Sequence, residues 1–149
     1  MNLTLGSPAP NFSANNQNGE TKSLSHYAGK KLVLYFYPKD DTPGCTAEAC
    51  SLRDNYKDLI AKGYAILGVS PDNEAKHQKF IAKYNLPFDL LADTDNAVAL
   101  AYGVWVEKSM YGRKYMGIAR TTFVIDEHGN LAEIIEKVDT KNHASQIAK

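Results

Sequence analysis

Two cysteines, Cys45 and Cys50, stand close together in the stretch Tyr37-Pro38-Lys39-Asp40-Asp41-Thr42-Pro43-Gly44-Cys45-Thr46-Ala47-Glu48-Ala49-Cys50, and the chain has no others. Thr42 followed by Pro43 is a helix start signal: a capping hydroxyl with proline at the first helical position. Cys45 then falls in the first helical turn, where free backbone N–H groups and the positive end of the macrodipole favour a thiolate. The Thr42 hydroxyl, three residues earlier, can donate to the sulfur or to a bound oxygen atom. Gly44 allows close backbone approach with no side chain in the way. Inert core packing is the ordinary role of a lone helical cysteine. Here the flanking Pro, Gly and Thr at a helix start favour an activated nucleophile.

Cys50 adds a geometric constraint. Five helical residues rise by about 7.5 Å and turn through about 140°, so the two Cα atoms stand roughly 8 Å or more apart. A disulfide needs a Cα separation of no more than about 7 Å. The two thiols therefore cannot bridge while the helix is intact, and if they react with each other its first turns must unwind. On that reading Cys50 is a resolving thiol; taken alone, it is equally a small apolar residue facing the core. Two intervening residues would mark a dithiol reductase, but here there are four. Zinc is not expected, because His26, His77, His128 and His143 are scattered and none stands at ligand spacing from the pair.

The elements that must position this segment are legible from periodicity. Lys31–Tyr37 is a nearly continuous apolar run ended by Pro38, the mark of a strand buried on both faces. From Pro43 to Lys62 the period becomes helical, with Ala49, Leu52, Tyr56, Leu59 and Ile60 on one face and Gly63 as terminator. The cysteines thus lie where open α/β sheets place their ligands, at the carboxyl end of a strand and the amino end of a helix. A short hairpin is expected around Asn11–Ala14 and Thr21–Ser23, turned by Asn18-Gly19. Downstream, Tyr64–Ser70 reads as a second buried strand and Ser70-Pro71 opens a helix to about Tyr84, with Phe80, Ile81 and Tyr84 inward. Phe88–Leu91 reads as a strand and Asn96–Tyr102 as a helix capped by Thr94 or Asp95. Gly103–Ala119 reads as irregular and aromatic. Thr121–Asp126 and Leu131–Val138 form a hairpin, and a last helix starts at Thr140 and runs almost to Lys149. An early βαβ with a late hairpin predicts a thioredoxin-like α/β fold, a central mixed β-sheet flanked by helices, although other open α/β folds share this pattern.

Composition narrows the function. With 149 residues, 44% hydrophobic and 23% charged, and no repeat or low-complexity linker, one domain spanning 1–149 is expected. Lys+Arg and Asp+Glu both number 17, and this zero net charge argues against a nucleic-acid module. Tyr102, Trp105, Tyr111 and Tyr115 among Lys108, Arg113 and Lys114 are accordingly read as a packed loop near the cysteines. No apolar run reaches the roughly 18 residues of a membrane span. A soluble protein of a reducing cytoplasm is expected, where paired cysteines are catalytic or metal-binding rather than structural. Asp89, Asp93 and Asp95 lack a calcium-loop pattern and are assigned to helix capping. His143, beside a helix start, is read as a local hydrogen-bond partner. Arg120 at a strand start is by itself an ordinary surface or ion-paired residue, and Glu48 either anchors Arg120 or merely suits the first half of a helix.

Pro38-x-x-x-Thr42-x-x-Cys45 resembles the active-site signature of peroxiredoxins, and the four-residue gap to Cys50 is similar to their bacterioferritin comigratory protein, or peroxiredoxin Q, subfamily. The resemblance runs from Gly6-Ser7-Pro8-Ala9-Pro10-Asn11-Phe12 through Gly103-Val104-Trp105, Glu107-Lys108 and Tyr111-Gly112 to Lys141-Asn142-His143. Gly117–Asp126 is similar to the family segment that carries the active-site arginine, which assigns that role to Arg120. The resemblance implies that Cys45 is the peroxidatic thiolate, attacking a peroxide oxygen to become a sulfenic acid. It implies that Thr42 and Arg120 orient the peroxide and that Pro38 and Gly44 line its pocket. Cys50 would resolve the sulfenic acid as an intramolecular disulfide, reduced by thioredoxin or a glutaredoxin-like dithiol. No cofactor or metal is required, and a monomer or weak dimer is expected. A redox-sensing interaction protein that uses the same cysteine pair is the alternative function.

Overall fold

The computed structural model describes residues 3–147. Its centre is a five-stranded mixed sheet in the order β5-β4-β3-β8-β9. β3 (Lys31–Phe36) pairs in parallel with β4 (Tyr64–Ser70), which pairs in parallel with β5 (Asp89–Ala92). On its other edge β3 runs antiparallel to β8 (Thr121–Ile125), and β8 to β9 (Leu131–Ile135). β3, at the centre of the sheet, is apolar on both faces, as is its neighbour β4, which sends Ile66 to one core and Leu67 and Val69 to the other. Leu32, Leu34 and Phe36 pack into one core with Leu67, Val69, Phe123 and Ile125, while Val33, Tyr35 and Tyr37 pack into the other with Ala49, Leu52, Leu59 and Phe80.

Helices cover both faces. α1 (Pro43–Asp54), α2 (Tyr56–Ala61), α3 (Glu74–Tyr84) and the short α5 (His143–Ile147) close the second core, and α4 (Ala97–Ala101) packs into the first. The expected sheet-and-helix architecture holds, including the hairpin of β1 (Ser13–Asn15) and β2 (Thr21–Ser23). Asn16 Oδ1 closes that turn by accepting from the N–H groups of Asn18 and Glu20.

Several boundaries differ from expectation, each for a local reason. The helix read as Pro43–Lys62 breaks at Asn55, whose side-chain amide donates to the Ser51 carbonyl at 2.8 Å and competes with the backbone ladder. α3 starts at Glu74 rather than at Pro71: Asn73 is its cap, accepting from Lys76 N–H, while Ser70 Oγ donates instead to Asp72. The Gly103–Ala119 segment is no irregular loop but a two-stranded hairpin, β6 (Trp105–Met110) with β7 (Arg113–Ile118). Its two-residue turn puts both Tyr111 (φ 51°) and Gly112 (φ 77°) in the left-handed region. Most of it is exposed on both faces, so no period-2 alternation marks it, and Tyr111 lies fully in solvent rather than in a packed loop. Asp93 and Asp95 do cap α4, but Asp89 instead accepts from Asn16 and Gln17. α5 begins at His143, not Thr140, and the last residues of the helix expected to approach Lys149 lie outside the described residues.

Candidate active site

Pro43 and Gly44 open α1, and Cys45 follows in its first turn, 2% exposed, with Cys50 five residues on in the same unbroken helix and partly exposed. Both thiols are free. β8 meets this helix end from across the sheet and brings Arg120, the residue before the strand, to the sulfur. Arg120 Nη2 donates to Cys45 Sγ at 3.3 Å and Nη1 to Glu48 Oε1 at 2.7 Å. Glu48 sits one turn after Cys45 on the same helical face, so one guanidinium spans two side chains of α1. Of the two roles open to Glu48, anchoring Arg120 is the one observed.

The electrostatics follow from burial and these contacts. Burial opposes the charge on Arg120, but the Cys45 sulfur and the Glu48 carboxylate outweigh it and hold the guanidinium more firmly protonated. Burial pushes the Glu48 carboxyl up to about 7, against the pull of Arg120. His143 is fully buried, and that burial lowers its pKa from the ordinary value, with Arg120 adding to the effect and Gln146 opposing it. It is more than a local partner: Nδ1 lies 2.7 Å from Gln146 Oε1, and Nε2 lies 2.8 Å from Thr122 Oγ1 and 3.4 Å from Glu48 Oε2. Lys108 on β6 is held below its usual range by burial, with the charge of Arg120 adding to this and the Cys45 sulfur opposing it.

The loop before Cys45 is braced from below. Tyr37 Oη donates to Asp40 Oδ1, Asp40 N–H donates to Asp72 Oδ2, and His77 spans from Asp40 Oδ2 to the Leu91 carbonyl. Asp41, in the left-handed region at φ 58°, receives Lys83 Nζ and Tyr84 Oη from the end of α3. Among the described residues Asp40, Asp72 and His77 converge within 4.8 Å, but hydrogen bonds already engage all three. They act as a hub that fixes the loop.

Of the residues singled out from sequence, Cys45, Gly44 and Arg120 come together. A Cβ built on Gly44 would lie 3.2 Å from Arg120 Nη2, so the glycine is what admits the guanidinium. Pro38 is partly buried at the start of the same loop. Thr42 occupies the cap position of α1, but its hydroxyl neither caps the helix nor donates to the sulfur; it donates to the Lys39 carbonyl at 2.9 Å. With that hydrogen committed, Thr42 Oγ1 presents only lone pairs to an incoming group. The sequence already offered Glu48 as an anchor for Arg120, but the contacts of His143 with Thr122 and Glu48 escaped a purely sequential reading, because those partners lie far along the chain. The signal for Glu48 was its spacing of one turn from Cys45.

Residues 5–134 match the model of the AhpC/TSA family, and the chain belongs to that family. Within it the chain is similar to peroxiredoxins of the Bcp and Q type. The chain is 49% identical over 147 residues to a putative peroxiredoxin bcp of Coxiella burnetii, covering 99% of this chain and 97% of that one. It is 47% identical over 146 residues to peroxiredoxin Bcp of Bacillus subtilis, covering 98% and 93%. Among solved structures, the bacterioferritin comigratory protein of Xanthomonas campestris superposes with a TM-score of 0.88 at 36% identity, covering 98% of this chain and 93% of that one. PrxQ of Xylella fastidiosa gives 0.92 at 32% identity, covering 99% and 94%. Membership and fold together indicate a thiol peroxidase, an oxidoreductase built on a thioredoxin-like scaffold. No described helix is long and apolar enough to cross a membrane.

Proposed function

We propose that the protein reduces hydrogen peroxide and organic hydroperoxides by a two-cysteine cycle. The Cys45 thiolate attacks one peroxide oxygen; an S–O bond forms, the O–O bond breaks, and the departing oxygen takes a proton to leave as water or an alcohol. Cys45 becomes a sulfenic acid. Arg120 stabilises charge on the sulfur and on the leaving oxygen, with the N–H groups of the first turn of α1 beside it. Thr42 Oγ1 accepts the peroxide O–H and so orients the oxygen chain, while Pro38 shields the pocket from water and Gly44 leaves room for substrate and guanidinium. Cys50 then attacks the sulfenic sulfur, an S–S bond forms and water leaves, after the first turns of α1 unwind. An external dithiol of the thioredoxin or glutaredoxin type reduces the disulfide, and the sulfur itself carries the oxidation without a cofactor.

The observation that carries this reading is the 3.3 Å contact of Arg120 Nη2 with a buried sulfur in the first turn of a helix. Organic hydroperoxides are included because the Xanthomonas campestris relative is described by its alkyl peroxide reduction activity. The test is thioredoxin-coupled NADPH consumption with hydrogen peroxide and an alkyl hydroperoxide, comparing wild type, Cys45→Ser and Cys50→Ser. Turnover is expected in wild type, none in Cys45→Ser, and a trappable sulfenic acid in Cys50→Ser. Wild-type consumption no faster than the protein-free background would sink the reading.

A further inference from the structure

Glu48 is fully buried with one carboxylate oxygen committed to Arg120 and the other, Oε2, facing His143 Nε2 at 3.4 Å without a formed hydrogen bond. The surrounding hydrogen bonds fix which ring nitrogen carries hydrogen. Gln146 Nε2 donates to the Lys137 carbonyl and Asp139 N–H donates to Gln146 Oε1, so Oε1 is an acceptor. His143 Nδ1, 2.7 Å from that oxygen, therefore bears a hydrogen. In the neutral ring Nε2 is a bare acceptor, supplied by the Thr122 hydroxyl at 2.8 Å. An ionised Glu48 would then set two acceptors face to face in a dry site. One added proton, on Oε2 or on Nε2, converts that repulsion into a contact.

We propose that His143 is a positioning residue for peroxide reduction: with Glu48 it holds a single buried proton, and that proton governs how much of Arg120's positive charge is directed at the Cys45 sulfur. The proposal rests on the reading of Cys45 as the attacking atom. With the proton present the Glu48–His143 pair is neutral overall, and the guanidinium acts on the sulfur undiminished. With the proton gone the pair carries a full negative charge 2.7 Å from Arg120, which offsets part of that action. The other charged or titratable groups facing this cluster are Cys45 on α1, Lys108 on β6, Tyr35 on β3, Glu133 on β9 and Asp139 ahead of α5. Tyr35 keeps its proton, since burial raises its phenol well above the usual value.

The test is the pH dependence of the Cys45 reaction with hydrogen peroxide and, separately, with iodoacetamide, in a Cys50→Ser background that leaves one thiol. Beyond the titration of the thiol itself, reactivity is expected to fall roughly threefold or more as pH rises through about 7. Glu48→Gln keeps an oxygen acceptor for Arg120 and has no proton to lose at that site, so the fall disappears. His143→Gln, which cannot titrate, displaces its midpoint by about one pH unit or more. A readout free of substitution at the pair is 15N NMR of His143: Nδ1 keeps its hydrogen while Nε2 shifts with the same midpoint as the rate. A fall that persists unchanged in both variants, or an Nε2 signal constant from about pH 5.5 to about 8.5, overturns the proposal. Failure of the peroxidase reading looks different: the iodoacetamide profile keeps its fall while hydrogen peroxide is not consumed.

Discussion

Arg120 makes two contacts at once, to Cys45 Sγ and to Glu48 Oε1, which the planar fork of a guanidinium can satisfy and a single ammonium cannot. Arg120→Lys is therefore expected to retain the fold and lose about 100-fold in the second-order rate with peroxide, measured by stopped-flow on the reduced protein. Gly44→Ala tests the same geometry from the other side. Its new Cβ would press on Arg120 Nη2 at 3.2 Å, so the peroxide rate should drop while thermal stability stays within about 1 kcal/mol, alanine being the better helix former. At this scale the spacing of Thr42, Gly44 and Cys45 was readable because it is local, within one loop and one helical turn. The role of Arg120 needed the family resemblance, since an arginine at a strand start carries no signal of its own. The Glu48–His143–Thr122 contacts were unreadable for a plain reason: they join three segments distant in sequence.

At the scale of elements, α1 holds both cysteines in one continuous helix, a geometry in which they cannot pair. Disulfide formation in the proposed cycle must melt its first turns, so weakening the helix between the thiols should hasten that step. Ala47→Gly costs about 1 kcal/mol of helix stability, which predicts closure faster by up to about fivefold, read from the decay of the sulfenic acid after a peroxide pulse. β3, β4 and α1 were legible from sequence because the two strands are apolar on both faces and α1 buries one helical face against the core. The β6–β7 hairpin was not, because both of its faces meet solvent and a tyrosine takes the left-handed turn position usually marked by Asn or Gly. The break between α1 and α2 was hidden for another reason: the Asn55 side chain substitutes for a backbone donor while the apolar spacing continues across it.

For the molecule as a whole, the buried Glu48 ties stability to pH. Its pKa in the fold, about 7, stands above the ordinary 4.5. The unfolded chain thus releases this proton first, and the stabilisation present below 4.5 is lost as pH rises through 7. That is a loss of about 3 kcal/mol from this one group, in order of magnitude. His143 acts with the opposite sign: its folded pKa is lowered, so its contribution is lost as pH falls below the ordinary 6.5. Across the rise from about pH 4.5 to 7, melting curves should show Glu48→Gln gaining on wild type. The zero net charge has a kinetic counterpart. A neutral hydroperoxide gains nothing from long-range steering, so its second-order rate should change little between low and moderate salt.

The central claim is that Cys45 receives the peroxide oxygen and Cys50 discharges it within one chain. A single-turnover experiment tests this directly: reduced protein is mixed with one equivalent of hydrogen peroxide, quenched with an alkylating agent and weighed intact. Wild type should lose about 2 Da, with both thiols protected from the label and one peptide linking Cys45 to Cys50. Cys50→Ser should gain about 16 Da at Cys45. A wild-type protein that emerges with its mass unchanged before labelling and both cysteines alkylated would contradict the account.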